Sequence, residues 1–170
     1  MEIKIRFYVA FLVSAIFSSF LLFGEAHAQS IAYKTLLKGL YDGEFPTVRP
    51  GQISDLKNYQ VLDTREKEEF EVSHLKDAIW VGYDTFTLDN VEALDKNQPV
   101  LVYCTVGARS QEIGKKLRES GFTRVYNLYG GIIQWSNESQ PLFSHSLPTN
   151  KVHTYSRSWG IWLTSGEKVY

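Results

Sequence analysis

One short segment carries the residue types and spacing of nucleophilic chemistry: Cys104-Thr105-Val106-Gly107-Ala108-Arg109-Ser110. It directly follows Val100-Leu101-Val102-Tyr103, a continuous apolar run that predicts a central strand covered on both faces. A predicted helix from Ser110 to Ser120 comes next, with Ile113 and Leu117 on one face, Lys115, Lys116 and Arg118 outside, and Gly121 as its cap. Cys104 therefore sits at the carboxyl end of a strand, where open α/β sheets bind their ligands. A tight strand-to-helix loop points backbone N–H groups inward and makes an anion cradle, to which the helix N-terminus adds partial positive charge. Gly107 supplies the backbone freedom such a loop needs, and Arg109 a permanent planar cation. Each feature favours thiolate over thiol, so Cys104 reads as a nucleophile. The alternative is a buried structural cysteine, but the Gly-x-Arg that follows has no packing rationale. Thr105, Val106, Gly107, Ala108, Arg109 and Ser110 are the candidate substrate-binding residues around it.

Composition restricts what this nucleophile serves. The 170 residues carry 18 Lys plus Arg against 19 Asp plus Glu, a net charge of −1, so no basic excess exists to neutralise phosphates and nucleic acid is not an expected partner. A 44% hydrophobic, 22% charged chain is ordinary globular material rather than disorder. Cys104 is the sole cysteine, which rules out an intramolecular disulfide, a C-x-x-C motif and a cysteine-based zinc site. His145 and His153 lack companion ligands, so no metal is expected.

The elements that must position Cys104 alternate between strand and helix. Ile31, Leu36, Leu37, Leu40 and Tyr41 recur at helical spacing, and Asp42-Gly43 ends that helix. Strands are predicted at Phe45 to Val48, Tyr59 to Asp63, Ala78 to Val81 and Val125 to Leu128, besides Val100 to Tyr103. Helices are predicted near Ile53 to Lys57, at Arg65 to Glu71, through Leu88, Val91 and Leu94, and after Gly130-Gly131 with Ile132, Ile133 and Trp135. The fold class is α/β, a parallel-rich central sheet flanked by helices.

Residues 1–28 read as an address. Lys4 and Arg6 precede an apolar run from Phe7 to Gly24, and Ala26-His27-Ala28 gives an A-x-A site before Gln29, the pattern of a cleaved secretory signal peptide. An uncleaved anchor facing outside is the alternative, because the run reaches the lower limit for spanning a bilayer. Either way the remainder is expected to be exported, periplasmic or extracellular. Cleavage removes Glu2, Lys4, Arg6 and Glu25, two charges of each sign, and leaves the net charge unchanged.

Several separated signatures together resemble the rhodanese-like family in its single-domain form. Val61-Leu62-Asp63-Thr64-Arg65 with Glu69-Phe70 is similar to its Leu-Asp-x-Arg…Glu-Phe segment, and His74-Leu75 with Ala78 to its Gly-His-Ile-x-Gly-Ala turn. Cys104 to Arg109 matches the C-x-x-G-x-R loop, and Gly130-Gly131 with Trp135 the Gly-Gly…Trp ending. The resemblance implies a rhodanese-like domain over 45–143, preceded by a helix and linker at 29–44 and followed by an aromatic extension at 144–170. It also implies sulfurtransferase chemistry without a cofactor: a Cys104 persulfide, loaded from a small anionic or persulfide donor such as thiosulfate and discharged to a thiol or cyanide acceptor. Arg109 would hold the anionic donor, and loop N–H groups the persulfide's terminal sulfur. A persulfide carrier or protein-binding module without turnover is the alternative on the same fold. Cysteine phosphatases resemble C-x5-R, one residue longer than this loop, which disfavours phosphate-ester chemistry.

Two departures from the pattern and the neighbouring residues qualify the likeness. Ser73 and Asp77 replace the usual glycines around His74, which predicts a different turn there. Thr105 and Val106 add neither charge nor aromatic surface beside the nucleophile, which points to a bulkier or apolar donor. Asp63, Arg65 and His74 are expected to be structural, the first two as a buried pair and His74 as a ligand of backbone groups. The extension, with Tyr155, Trp159, Trp162 and Tyr170, is expected to pack as a strand or hairpin on the domain surface; a lid over the site or a partner-protein patch is the sharper alternative.

Overall fold

The computed structural model describes residues 30–170; the signal peptide expected over residues 1–28 lies outside the described residues. The chain divides into two compact units, residues 1–36 and 37–170. Residues 30–40 are helical (α1), close to the span predicted from the apolar spacing. Among the described residues no helix is long and apolar enough to cross a membrane.

The second unit is built on a five-stranded sheet. Its strands are β1 (Thr47–Val48), β2 (Gln60–Asp63), β3 (Ile79–Trp80), β4 (Val100–Tyr103) and β5 (Val125–Leu128), in the order β1-β5-β4-β2-β3. Every pairing is parallel, and β4 is the middle strand. All four β4 residues are buried, as a run without alternation requires when both faces are covered. Helices follow the strands: α2 (Lys67–Val72) after β2, α3 (Ala108–Glu119) after β4 and α4 (Gly131–Asn137) after β5. Ile113 and Leu117 of α3 pack with Leu62, Val100, Val102 and Val125 in one apolar core.

Two predicted helices are replaced by tighter turns. Around Ile53 to Lys57 the chain forms 3-10 turns at Pro50–Gln52 and Leu56–Asn58, with Ile53 extended between them (φ −90°, ψ 106°). Pro50 presets the first turn, and the Asp55 carboxylate accepts the Lys57 N–H to start the second. Leu88, Val91 and Leu94 are spaced by three, the period of a 3-10 helix rather than an α-helix, and a 3-10 turn covers Leu88–Val91. Ser73 lies in ordinary extended backbone (φ −168°), so no glycine is needed there. Asp77 takes up the left-handed conformation (φ 56°) that glycine usually supplies.

The extension is more elaborate than a single hairpin. β6 (Leu142–Ser144) and β7 (Leu147–Thr149) form an antiparallel pair, and β6 is joined to the His74 turn by reciprocal backbone bonds between His74 and Phe143. β8 (Lys151–His153) and β9 (Glu167–Val169) then pair in parallel around α5 (Arg157–Gly160). β8 packs against α2 and α4. Val152 and Leu163 of the extension are buried in the interior, whereas Trp159 and Trp162 are half-buried and Tyr155 and Tyr170 exposed.

Candidate active site

Cys104 is the first residue past β4, and its side chain is held at the mouth of the loop that leads into α3. The Gly107 N–H donates to Cys104 Sγ at 3.1 Å. Gly107 has φ 100°, in the left-handed region, and a Cβ there would overlap the Tyr41 phenol. With Gly107 as its N-cap, α3 starts at Ala108, two residues before the predicted Ser110, so the N-terminal turn lies closer to the sulfur. A donor aimed at sulfur and the positive end of a 12-residue helix both stabilise negative charge on Sγ.

The loop is clamped from three sides. Tyr41 Oη donates to the Val106 carbonyl (2.6 Å) and accepts the Gly130 N–H (2.7 Å); burial pushes its phenol well above the ordinary tyrosine range, so it stays a donor. Asn127 of β5 donates from Nδ2 to the Gly107 carbonyl (2.8 Å). The first turn of α4 donates Ile132 N–H to the Cys104 carbonyl (2.9 Å) and Ile133 N–H to the Thr105 carbonyl (3.2 Å). Gly131 permits that approach: at φ 56° any Cβ would run into both carbonyl oxygens.

Arg109 does not stand free. Its Nη2 donates to both oxygens of Glu69 (2.9 and 3.1 Å) and to Thr105 Oγ1 (3.0 Å), while Thr105 Oγ1 donates to Glu69 (2.9 Å). Glu66 lies 3.8 Å from its Nη1. Burial works against the guanidinium's charge, but Cys104 and Glu69 outweigh it and raise its pKa. The guanidinium also lies 4.9 Å from the centre of the Tyr155 ring. Above Cys104 is a cavity of about 190 Å³, floored by Thr105, Val106, Ala108 and Arg109 and walled by Tyr155 and Trp159 of the extension.

The sequence-predicted residues fall into two groups. Thr105, Val106, Ala108 and Arg109 line the cavity with Cys104, and Gly107 contributes its N–H. Ser110 is not at the cavity: it is fully buried and its hydroxyl donates to Asn127 Oδ1 (2.7 Å), so its role is to brace the loop. Asp63 and Arg65 form an ion pair at 2.6 Å with neither side chain exposed. His74 sits 2.9 Å from the Leu75 carbonyl through Nδ1 and stacks on Phe70. Thr105 and Val106 themselves bring no aromatic surface to the nucleophile; Tyr155 and Trp159 supply it from outside the loop. Glu69, Tyr41 and Asn127 were not picked out for any site role. Glu69 had a signal, its place in the Glu-Phe signature; Tyr41 and Asn127 act across long sequence separations and had none. Among the described residues no group of three His, Cys, Asp or Glu side chains is placed to hold a metal ion.

Residues 51–138 match the rhodanese-like domain. The chain belongs to the rhodanese-like family. Over 92 residues it is 34% identical to the thiosulfate sulfurtransferase GlpE of Coxiella burnetii, an alignment covering 49% of this chain and 85% of that protein. Over 84 residues it is 36% identical to the tRNA uridine(34) hydroxylase of Sodalis glossinidius, covering 46% of this chain but 24% of that one. Among solved structures, a Bacillus halodurans protein superposes with a TM-score of 0.55 at 25% identity, covering 70% of this chain and 88% of that chain. A thiosulfate sulfurtransferase from Pseudomonas aeruginosa superposes with a TM-score of 0.52 at 25% identity, over 58% of this chain and 20% of that chain. The match to the rhodanese-like domain ends before β6, so β6 to β9 and α5 lie outside the matched region.

Proposed function

We propose that this rhodanese-like chain is an exported sulfurtransferase that works through a Cys104 persulfide. One observation carries the reading: the sole cysteine lies at the carboxyl end of the central strand, receives the Gly107 N–H on its sulfur, and opens on a cavity beside Arg109. With thiosulfate as donor, a lone pair of the Cys104 thiolate attacks the outer, sulfane sulfur. The Sγ–S bond forms, the sulfur–sulfur bond of thiosulfate breaks, and sulfite leaves with its electron pair. A nucleophilic acceptor then attacks the terminal sulfur, and the Cys104 thiolate is regenerated; with cyanide the product is thiocyanate. Splitting the transfer in this way replaces one difficult step by two easier ones. Gly107 N–H and the first turn of α3 face the charge that passes from thiolate to persulfide, the part of the site that stabilises both transitions. Residues 1–28 supply the export part of the proposal, with cleavage after Ala28 and a mature chain beginning at Gln29.

Steady-state cyanolysis tests the catalytic reading. The purified protein should release thiocyanate for many turnovers, and Cys104→Ser should release none, since a hydroxyl is a far weaker nucleophile near neutral pH. Loading of a single sulfur with no turnover would replace the enzyme by a persulfide carrier. N-terminal sequencing of the natively exported protein tests the address: Gln29 is expected, and an intact Met1 with membrane retention would establish the anchor instead.

A further inference from the structure

We propose that Tyr155 and Trp159 are specificity-determining residues, forming an apolar wall that selects sulfane-sulfur donors carrying a ring-sized apolar group over inorganic thiosulfate. The inference rests on the sulfurtransferase reading and adds the class of donor. Both residues lie beyond the region matched to the rhodanese-like domain.

Three observations converge on it. First, among the described residues Arg109 is the only charged side chain of an acidic or basic residue that lines the cavity, and Glu69 already takes its charge through two hydrogen bonds, with Glu66 at 3.8 Å behind. A thiosulfate dianion would meet a thiolate beside a cation matched by two carboxylates, which is poor electrostatic complementarity. Second, the remaining space faces Val106, Ala108 and two aromatic rings. A volume of about 190 Å³ is roughly six waters' share of liquid, room for one phenyl-sized group beside a sulfonyl head. Third, the wall is held in place: Val152 and Leu163, buried on the domain, bracket it in sequence, and the Arg109 guanidinium stacks at 4.9 Å on Tyr155. Tyr155 itself has φ 66°, a conformation a non-glycine residue keeps only when its surroundings fix it.

Benzenethiosulfonate keeps the sulfane sulfur and sulfonyl head of thiosulfate but adds a ring. Attack by the Cys104 thiolate forms Sγ–S, breaks the bond to the sulfonyl sulfur and releases benzenesulfinate. On the full chain, kcat/KM for benzenethiosulfonate should exceed that for thiosulfate, and the ratio should fall about tenfold in Trp159→Ala, the size of one lost aromatic contact. Tyr155→Ala is the second variant; Tyr155 is 57% exposed, so its truncation leaves the fold in place. Restoration of the ratio by Trp159→Phe would separate ring contact from a structural effect. A readout without turnover accompanies these: benzenesulfinate should protect Cys104 from iodoacetamide at least tenfold better than sulfite does in the wild type, and not in the alanine variants. If no sulfur is transferred from either donor yet this protection pattern appears, the sulfurtransferase reading fails and the wall stands. Equal loss for both donors in the variants, or equal protection by sulfite and benzenesulfinate, would overturn the wall.

Discussion

Substituting Asp63 by Asn would remove one charge from an ion pair with no access to water. Arg65 Nε donates to Asp63 Oδ1 (3.0 Å) and Oδ2 (3.2 Å), and Nη2 to Asp63 Oδ2 and to the Ser73 carbonyl, both at 2.6 Å. Its Nη1 has no hydrogen-bond partner among the described residues. Burial opposes the guanidinium's charge, and Asp63 is the chief group that offsets it and raises the pKa; a guanidinium keeps its proton in proteins even without such a partner, so Arg65 stays charged after the substitution. The variant is left with a fully buried cation facing a neutral amide. Breaking such a pair by removing one partner costs about 3–5 kcal/mol, which for a chain of this size lowers the melting temperature by on the order of 10–15 °C. Asp63→Leu combined with Arg65→Met removes the pair without stranding a charge and should lose less than the single substitution. Urea midpoints with unchanged m-values would measure both. An Asp63→Asn protein within about 1 kcal/mol of wild type, the worth of a surface pair, would refute the assignment of this pair as a buried structural element.

Deleting residues 151–170 removes Val152 and Leu163 from the interior; at about 1.5–3 kcal/mol for each such side chain, the thermal midpoint should fall clearly, and an unchanged midpoint would mean the extension is not anchored. Gly131→Ala should cost at least about 1–3 kcal/mol and reduce sulfur loading, because the methyl meets the Cys104 and Thr105 carbonyls; normal loading and stability would show that α4 is not the clamp described. His153 is held below its ordinary pKa of 6.5, chiefly by burial, so the unfolded chain binds more protons at mildly acidic pH. Stability should therefore be fully present above about pH 6.5 and decline as pH falls through the folded value, and His153→Gln should flatten that part of the profile in pH-dependent unfolding; a wild type and variant with parallel profiles would contradict it.

The site's nucleus was legible because its parts are contiguous: strand, cysteine, glycine, arginine and helix follow one another, and each has a local physical meaning. Val100 to Tyr103 announced a middle strand by lacking alternation, and β4 is the middle strand. Boundaries moved where a local backbone feature outweighed apolar spacing, as at Pro50, at the three-residue spacing after Leu88, and at Gly107, which brings α3 forward by two residues. What stayed hidden was contact between distant segments. Tyr41 reaches Val106 across 65 positions, and Asn127 reaches Gly107 across 20. Glu69 was read as part of a signature, yet its engagement of Arg109 depends on how α2 packs beside the loop. The extension gave a list of aromatics with only loose periodicity, and nothing in that pattern could say that Tyr155 and Trp159 face the cavity while Val152 and Leu163 hold the segment down.

The central claim is that Cys104 accepts a sulfur atom as a persulfide, and intact-protein mass tests it most directly. The protein is incubated with thiosulfate, and separately with benzenethiosulfonate, freed of donor, weighed, then treated with cyanide and weighed again. Cys104 is the sole cysteine, so the assignment needs no mapping. The expected result is a gain of one sulfur atom in the wild type, its loss as thiocyanate on cyanide treatment, and no gain in Cys104→Ser. An unmodified wild type with both donors, or the same gain in Cys104→Ser, would contradict the account.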